Sequence, residues 1–133
     1  MNGILLNSGK LLVAQLLTTE INSLTSGVYV GLMETTGLPV ASGSISNELI
    51  VEVSGVTRLP SNGWVAYQDG NDIYASGVPV SFNFSSTFTN VNGYFVSLTI
   101  DGEPIWSEQL PANLTGSKYN GDIVTIYPIY KQE

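Results

Sequence analysis

The 133-residue sequence contains neither cysteine nor histidine. Without cysteine there is no disulfide framework, no thiolate nucleophile and no Cys-ligated metal. Without histidine the usual general base, the Ser–His pair and the commonest metal ligand are lost as well. Basic residues are scarce: Lys10, Arg58, Lys118 and Lys131 stand against eleven acids and leave a net charge of −7. A nucleic-acid surface needs clustered Lys and Arg to displace counterions, so no nucleic-acid partner is expected. Charged residues make up 11% of the chain, under half the usual ~25%. What is present is an ordinary apolar share, 43%, with a polar remainder dominated by uncharged Ser, Thr and Asn. Disorder pairs low hydrophobicity with high charge. This balance instead describes an ordered, β-rich protein, long enough for one core and read as one domain over residues 1–133.

Targeting signals are equally thin. Met1 to Leu17 is apolar but lacks a basic start, Lys10 interrupts it, and no small-x-small site follows, so no cleaved leader is expected. The run Leu11 to Leu17 includes Gln15 and falls far below the ~18 residues of a membrane span, so no membrane partner is expected.

The spacing predicts one helix, over residues 8–20, within an N-terminal arm of residues 1–20. Asn7 or Ser8 offers an oxygen to cap it. Leu12, Val13, Leu16 and Leu17 share one side, opposite Gln15 and Thr18, and this side is expected to dock on the domain's own sheet or on a neighbouring subunit. The periodicity then changes to two, and residues 28–130 read as a β-domain. Val28–Met33 reads as a strand, Glu34–Asn47 as a long connection, and Glu48–Ser54 as an alternating strand. A short strand is expected at Trp64–Tyr67, a turn at Asp69–Asp72, and a further strand at Val78–Phe84 with Val80, Phe82 and Phe84 on one face.

Tyr94–Gln109 reads as a hairpin turning at Asp101-Gly102, because a type I′ turn needs positive φ at both central positions. That turn predicts Val96 opposite Ser107, with Phe95 and Trp106 together on the other face. The terminal strand is expected to run unbroken from Ile123 to Tyr130, apolar on both faces, with Pro128 marking an edge. The expected architecture is mainly β, a β-sandwich or barrel-like domain with one short N-terminal helix.

Patterns that carry catalysis were sought in turn. Gly3–Lys10 (GILLNSGK) fails the phosphate-loop spacing by one residue and lacks the Ser or Thr after the lysine. Glu48 and Glu52 share a strand face but sit roughly 13 Å apart at ~3.3 Å per residue. Glycosidase carboxylates stand about 5 to 9.5 Å apart. Asp69-Gly70-Asn71-Asp72 has oxygen ligands but lacks the EF-hand spacing and its distal glutamate, so it reads as a solvated turn. No catalytic residue, cofactor or metal is therefore expected. The aromatics remain: Trp64, Phe95, Trp106, Tyr119, Tyr127 and Tyr130 are candidate partner contacts, with core and strand packing as the competing role for each.

Several segments occur in a suggestive order: LLNSGKLLVAQLL (Leu5–Leu17), YVGLME (Tyr29–Glu34), GVTR to Trp64, SFNF, VNGYFVSLTIDGEPIW (Val91–Trp106) and GDIVTIYPIY (Gly121–Tyr130). In that order the chain resembles small virion structural proteins of tailed bacteriophages, most of all capsid decoration (cement) proteins. The resemblance implies a non-enzymatic module on the outer capsid surface, bound to the major capsid protein and self-associating as a dimer or trimer. A tail- or fibre-associated protein, or a receptor- or carbohydrate-binding β-domain, is the alternative. It would show exposed coplanar aromatics beside polar side chains. A hydrolase would require carboxylates within about 10 Å across a cleft.

Overall fold

The computed structural model describes residues 3–34 and 57–132. The expected strand Glu48–Ser54, the carboxylates Glu48 and Glu52, and the connection following Glu34 lie outside the described residues. The protein is mainly β, with one N-terminal helix and several antiparallel sheets in a sandwich-like arrangement.

Helix α1 spans Asn7–Ser23 and is followed by β1 (Val28–Met33), β2 (Arg58–Ser61), β3 (Val65–Asp69) and β4 (Asp72–Ser76). Then come β5 (Val80–Asn83), β6 (Phe88–Val91), β7 (Gly93–Ser97), β8 (Pro104–Gln109), β9 (Gly116–Lys118), β10 (Ile123–Ile126) and β11 (Ile129–Gln132). From Asp72 onward the chain behaves as one long antiparallel hairpin, bent several times. Its paired stretches are β4 with β11, β5 with β10, β6 with β9, and β7 with β8. At the tip, β1 and β2 extend the ladder into a four-stranded sheet, β2-β1-β7-β8. At the base, β3 completes a three-stranded sheet, β11-β4-β3. Folding the hairpin back brings these two sheets against each other. The buried faces of these sheets and of the β5–β10 pair share one core, with Val28, Val30 and Leu32 of β1, Val96 of β7, Ala75 of β4, Phe82 of β5, and Val124 and Ile126 of β10.

Two proline corners make the bend possible. The expected single strand Ile123–Tyr130 is in fact two, β10 and β11, which pair with different partners in different sheets. Pro128 has no N–H to give to a ladder; it is buried at the corner between β10 and β11, each an edge strand with one neighbour in its sheet. Its carbonyl accepts the Gly77 N–H at 3.3 Å, and Pro79 lies at the facing corner between β4 and β5. Alternation over β5 follows expectation: Val80, Phe82 and Phe84 are buried while Ser81 and Asn83 are exposed. The Asp69–Asp72 turn is likewise present as the two-residue β3–β4 loop, with Gly70 at φ +61°.

The β7–β8 register is one residue away from the expected one. Val96 opposes Trp106, Phe95 opposes Ser107, and the ladder shifts again before Ser97–Pro104. A one-residue slip exchanges the two faces. Trp106 therefore joins Val96 on the face carrying the core, and Phe95 lies on the opposite side. The turn at Asp101-Gly102 gives way to a wider loop over residues 98–103, in which the Gly102 N–H donates to Thr99 C=O at 3.2 Å. The buried Arg58 explains the widening. Its Nη1 donates to Gly102 C=O at 2.7 Å and to Ser97 Oγ at 3.1 Å, and its guanidinium lies 4.7 Å from the Phe95 ring centroid. A tight turn would not present that carbonyl to the guanidinium. Phe95 in turn covers Gly31, where an added Cβ would stand 2.2 Å from the ring.

Helix α1 departs from expectation in its length and its cap. Leu6 occupies the N-cap without a side-chain cap, and the Asn7 amide instead donates to Asn71 Oδ1 at 3.3 Å. The packed face is Ala14, Thr18 and Ile21, joined by Leu17, set against β3, β4 and β11. Leu12, Val13 and Leu16 are exposed. Asn22 fixes this orientation: its amide donates to Trp64 C=O at 2.8 Å and accepts the Trp64 N–H at 2.9 Å. Thr18 tolerates burial because its hydroxyl donates back to Gln15 C=O at 2.9 Å. Small inward side chains let the helix lie close on the sheet, and the large ones are left outside.

Candidate interaction surfaces

Four of the six aromatic candidates are used inside the chain. Trp64 is buried, with its indole N–H donating to Ser61 C=O at 3.1 Å. It meets Trp106 edge-to-face at 5.4 Å, and Trp106 meets Tyr130 at 5.4 Å. These three rings, from before β3, from β8 and from β11, form a seam joining tip sheet to base sheet. Phe95 is fully buried under Arg58. Tyr119 and Tyr127 are exposed, at 58% and 71%.

Tyr94 completes the seam, and sequence reasoning passed over it. Its hydroxyl, buried between the sheets, donates to Glu108 Oε2 at 2.6 Å and accepts the Ile129 N–H at 3.0 Å. Ile129 C=O lies 3.2 Å away, but the single phenolic proton serves the shorter contact to the carboxylate. Burial, and next the bond to Glu108, push the phenol well above its ordinary range; the Ile129 N–H and the nearby Trp106 N–H oppose this more weakly. The Trp106 indole nitrogen is buried and has no partner at hydrogen-bond geometry among the described residues. One signal was available in the sequence: a tyrosine directly across from a glutamate in the hairpin, once the register is right.

Clefts open on both sides of this junction. One of about 310 Å³ is walled by Leu110, Leu114 and Ile126 and rimmed by Tyr127. Another, of about 510 Å³, is lined by Tyr74, Trp106 and Lys131. Glu108 borders both and is the one carboxylate lining either among the described residues, which bring no carboxylate pair of the kind glycoside hydrolysis uses into these clefts. Among the described residues no three His, Cys, Asp or Glu side chains gather closely enough to hold a metal ion. No helix among them is long and apolar enough to cross a membrane.

Two surfaces face outward with unusual chemistry. Ile4 and Leu6, exposed at 86% and 72%, lead into the outer face of α1, where Leu12 and Leu16 are 55% and 61% exposed beside Val13. Leu12 and Leu16, one helical turn apart, share that face, and Leu5 precedes the helix. On the base sheet, Tyr67, Tyr74 and Lys131 lie abreast across β3, β4 and β11. The two tyrosine rings stack at 5.5 Å and 27°, and Lys131 pairs with Asp72 at 3.4 Å.

No family model, no curated protein and no solved structure matches the chain.

Proposed function

We infer that the chain is a non-enzymatic structural protein of a virion: a capsid decoration protein that binds and stabilises the major capsid protein lattice as a dimer or trimer. The exposed apolar line from Ile4 to Leu16 carries this reading. Burying one exposed leucine is worth about 1.5–3 kcal/mol. Six such apolar side chains, Ile4, Leu5, Leu6, Leu12, Val13 and Leu16, stand exposed on this segment and give a strong reason to associate, because exposed apolar surface marks interaction sites. Repetition over a symmetric lattice multiplies modest contacts into firm attachment without further chemistry. A net charge of −7 suits an outward position, away from packaged nucleic acid. The resemblance to tailed-phage virion proteins supplies the particular partner.

The test is co-sedimentation of the purified chain with capsids assembled from the cognate major capsid protein, with chain mass measured by light scattering. Saturable binding at lattice stoichiometry is expected, together with a dimer or trimer in solution. A monodisperse monomer that stays in the supernatant overturns the reading. Labelling confined to the tail of intact particles replaces the capsid with the tail or fibre as its location.

A second reading rests on the Tyr67–Tyr74 pair. Two stacked rings, with Asp69, Asp72 and Lys131 on the same face, form a small aromatic platform with polar neighbours, as a carbohydrate-binding surface requires. Saturable chemical shifts at these residues on adding oligosaccharide would favour it. Shifts absent at millimolar sugar would remove it.

A further inference from the structure

The smaller cleft beside Glu108 combines three properties. Its walls are apolar, from Leu110, Leu114 and Ile126. Its rim carries the exposed ring of Tyr127. Its single charge is a carboxylate that cannot swing freely, because Oε2 is held by the Tyr94 hydroxyl at 2.6 Å. Glu108 has no cationic partner among the described residues, and Lys131 across the junction is engaged with Asp72 at 3.4 Å. At about 310 Å³ the space stands at the bottom of the ~300–1,000 Å³ range of small-molecule sites. That is room for one long side chain rather than for a cofactor.

We propose that this cleft receives an arginine side chain from a bound protein. The apolar walls take the methylene stem, Glu108 Oε1 accepts from the guanidinium, and the Tyr127 ring stacks on its plane. Fixing the carboxylate in advance removes part of the ordering cost of binding. The arginine comes from a chain of different sequence. The single arginine here, Arg58, is buried and bonded to Ser97 and Gly102. That the guanidinium belongs to a protein rests on the protein-binding reading above; the cleft's choice of a cation does not.

The test uses the full chain and no partner. Labelled protein is titrated with n-butylguanidinium chloride, and in parallel with n-butanol and sodium butyrate, while amide and side-chain shifts are followed by NMR. Saturable shifts confined to Glu108, Leu114, Thr125 and Tyr127 are expected with the guanidinium. Butanol is expected to bind at least tenfold more weakly, and butyrate not at all. Glu108→Gln keeps an acceptor for the Tyr94 hydroxyl, so its melting temperature stays near that of the parent while guanidinium affinity falls about tenfold. Tyr127→Ala, at an exposed rim, lowers affinity severalfold. Equal binding of butanol, unchanged affinity in Glu108→Gln, or shifts spread over the surface without saturation would each overturn the proposal. Because no capsid enters this experiment, its failure leaves the decoration reading standing, and failed capsid binding leaves the cleft result standing.

Discussion

The aromatic seam and the outer face of α1 are both built from large apolar side chains, and they are put to opposite uses. In the seam, Trp64, Trp106 and Tyr130 come from three distant stretches and pack on one another, with Tyr94 tying the same two sheets through its hydroxyl. Along α1, Leu12 and Leu16 are left mostly exposed, while Ala14, Thr18 and Ile21 hold the helix to the sheet. The same type of side chain therefore stabilises the fold in one place and leaves surface free energy unspent in the other. Composition cannot tell these apart, but substitution can.

The sharpest contrast is expected at Trp64. It is buried, supports the Trp106 ring, and carries the backbone groups that anchor Asn22 of α1. Trp64→Ala should cost about 3–5 kcal/mol, read as a large fall in the urea midpoint with the slope unchanged. A loss below about 1 kcal/mol would mean that the seam does not hold the sheets together.

Tyr94→Phe is expected to rank next. It deletes one hydroxyl and leaves the buried Ile129 N–H without its acceptor, a loss of about 1–3 kcal/mol. The same substitution has a signature in pH. Tyr94 holds its proton more tightly when folded than at the ~10 of a free phenol. The folded state thus binds more protons, and this contribution is complete below pH ~10 and lost as pH rises toward the higher folded value. Stability of the parent should decline above pH 10 more steeply than that of Tyr94→Phe, by chemical denaturation at matched salt. Parallel curves would show that the phenol is not the group responsible.

Gly31→Ala tests the packed side of the tip sheet opposite the main core. A Cβ there would stand 2.2 Å from the Phe95 ring, so the ring and the Arg58 guanidinium over it must both move. Overpacking of this kind costs about 1–3 kcal/mol. A parent-like melting curve would show that Phe95 has room to yield, and that this side is looser than the seam.

These expectations lean on features that were legible in the sequence to very different degrees. The Asp69–Asp72 turn and the alternation of Val80, Phe82 and Phe84 were plain, because each is set by neighbours a few residues away. The β7–β8 register was not. It is decided by Arg58, which is 39 positions from Ser97 and 44 from Gly102 and pulls the loop open to reach a carbonyl. Pro128 was visible as an interruption, but only the two partner strands show that it turns a corner between sheets. Helix α1 was visible too, but its spacing leaves open whether its leucine side docks on the domain's own sheet or on a neighbouring subunit. Hydrophobic spacing identifies a face but not its occupant, and the Asn22–Trp64 bonds that settle the matter span 42 positions. Of the interaction surfaces, the leucines were named and the cleft at Glu108 was not, since it exists only where two strand pairs meet.

The smallest expected change in stability carries the most about function. Leu12→Ser with Leu16→Ser alters two exposed positions that no core residue depends on, so each should shift stability by no more than about 0.5 kcal/mol. If the outer face of α1 is a docking surface, the same pair should abolish capsid co-sedimentation and return any oligomer to a monomer, while the urea curve shifts by no more than about 1 kcal/mol in all. The matched control is Leu17→Ser. Leu17 is partly buried against the core, and losing it should lower stability while leaving the exposed line, and hence binding, in place in the folded fraction. Were the double variant to lose stability as Leu17→Ser does, the leucines would belong to the fold, and the contrast with the seam would collapse. Were it to keep both stability and binding, the surface that attaches this protein to its partner would have to be sought elsewhere on it.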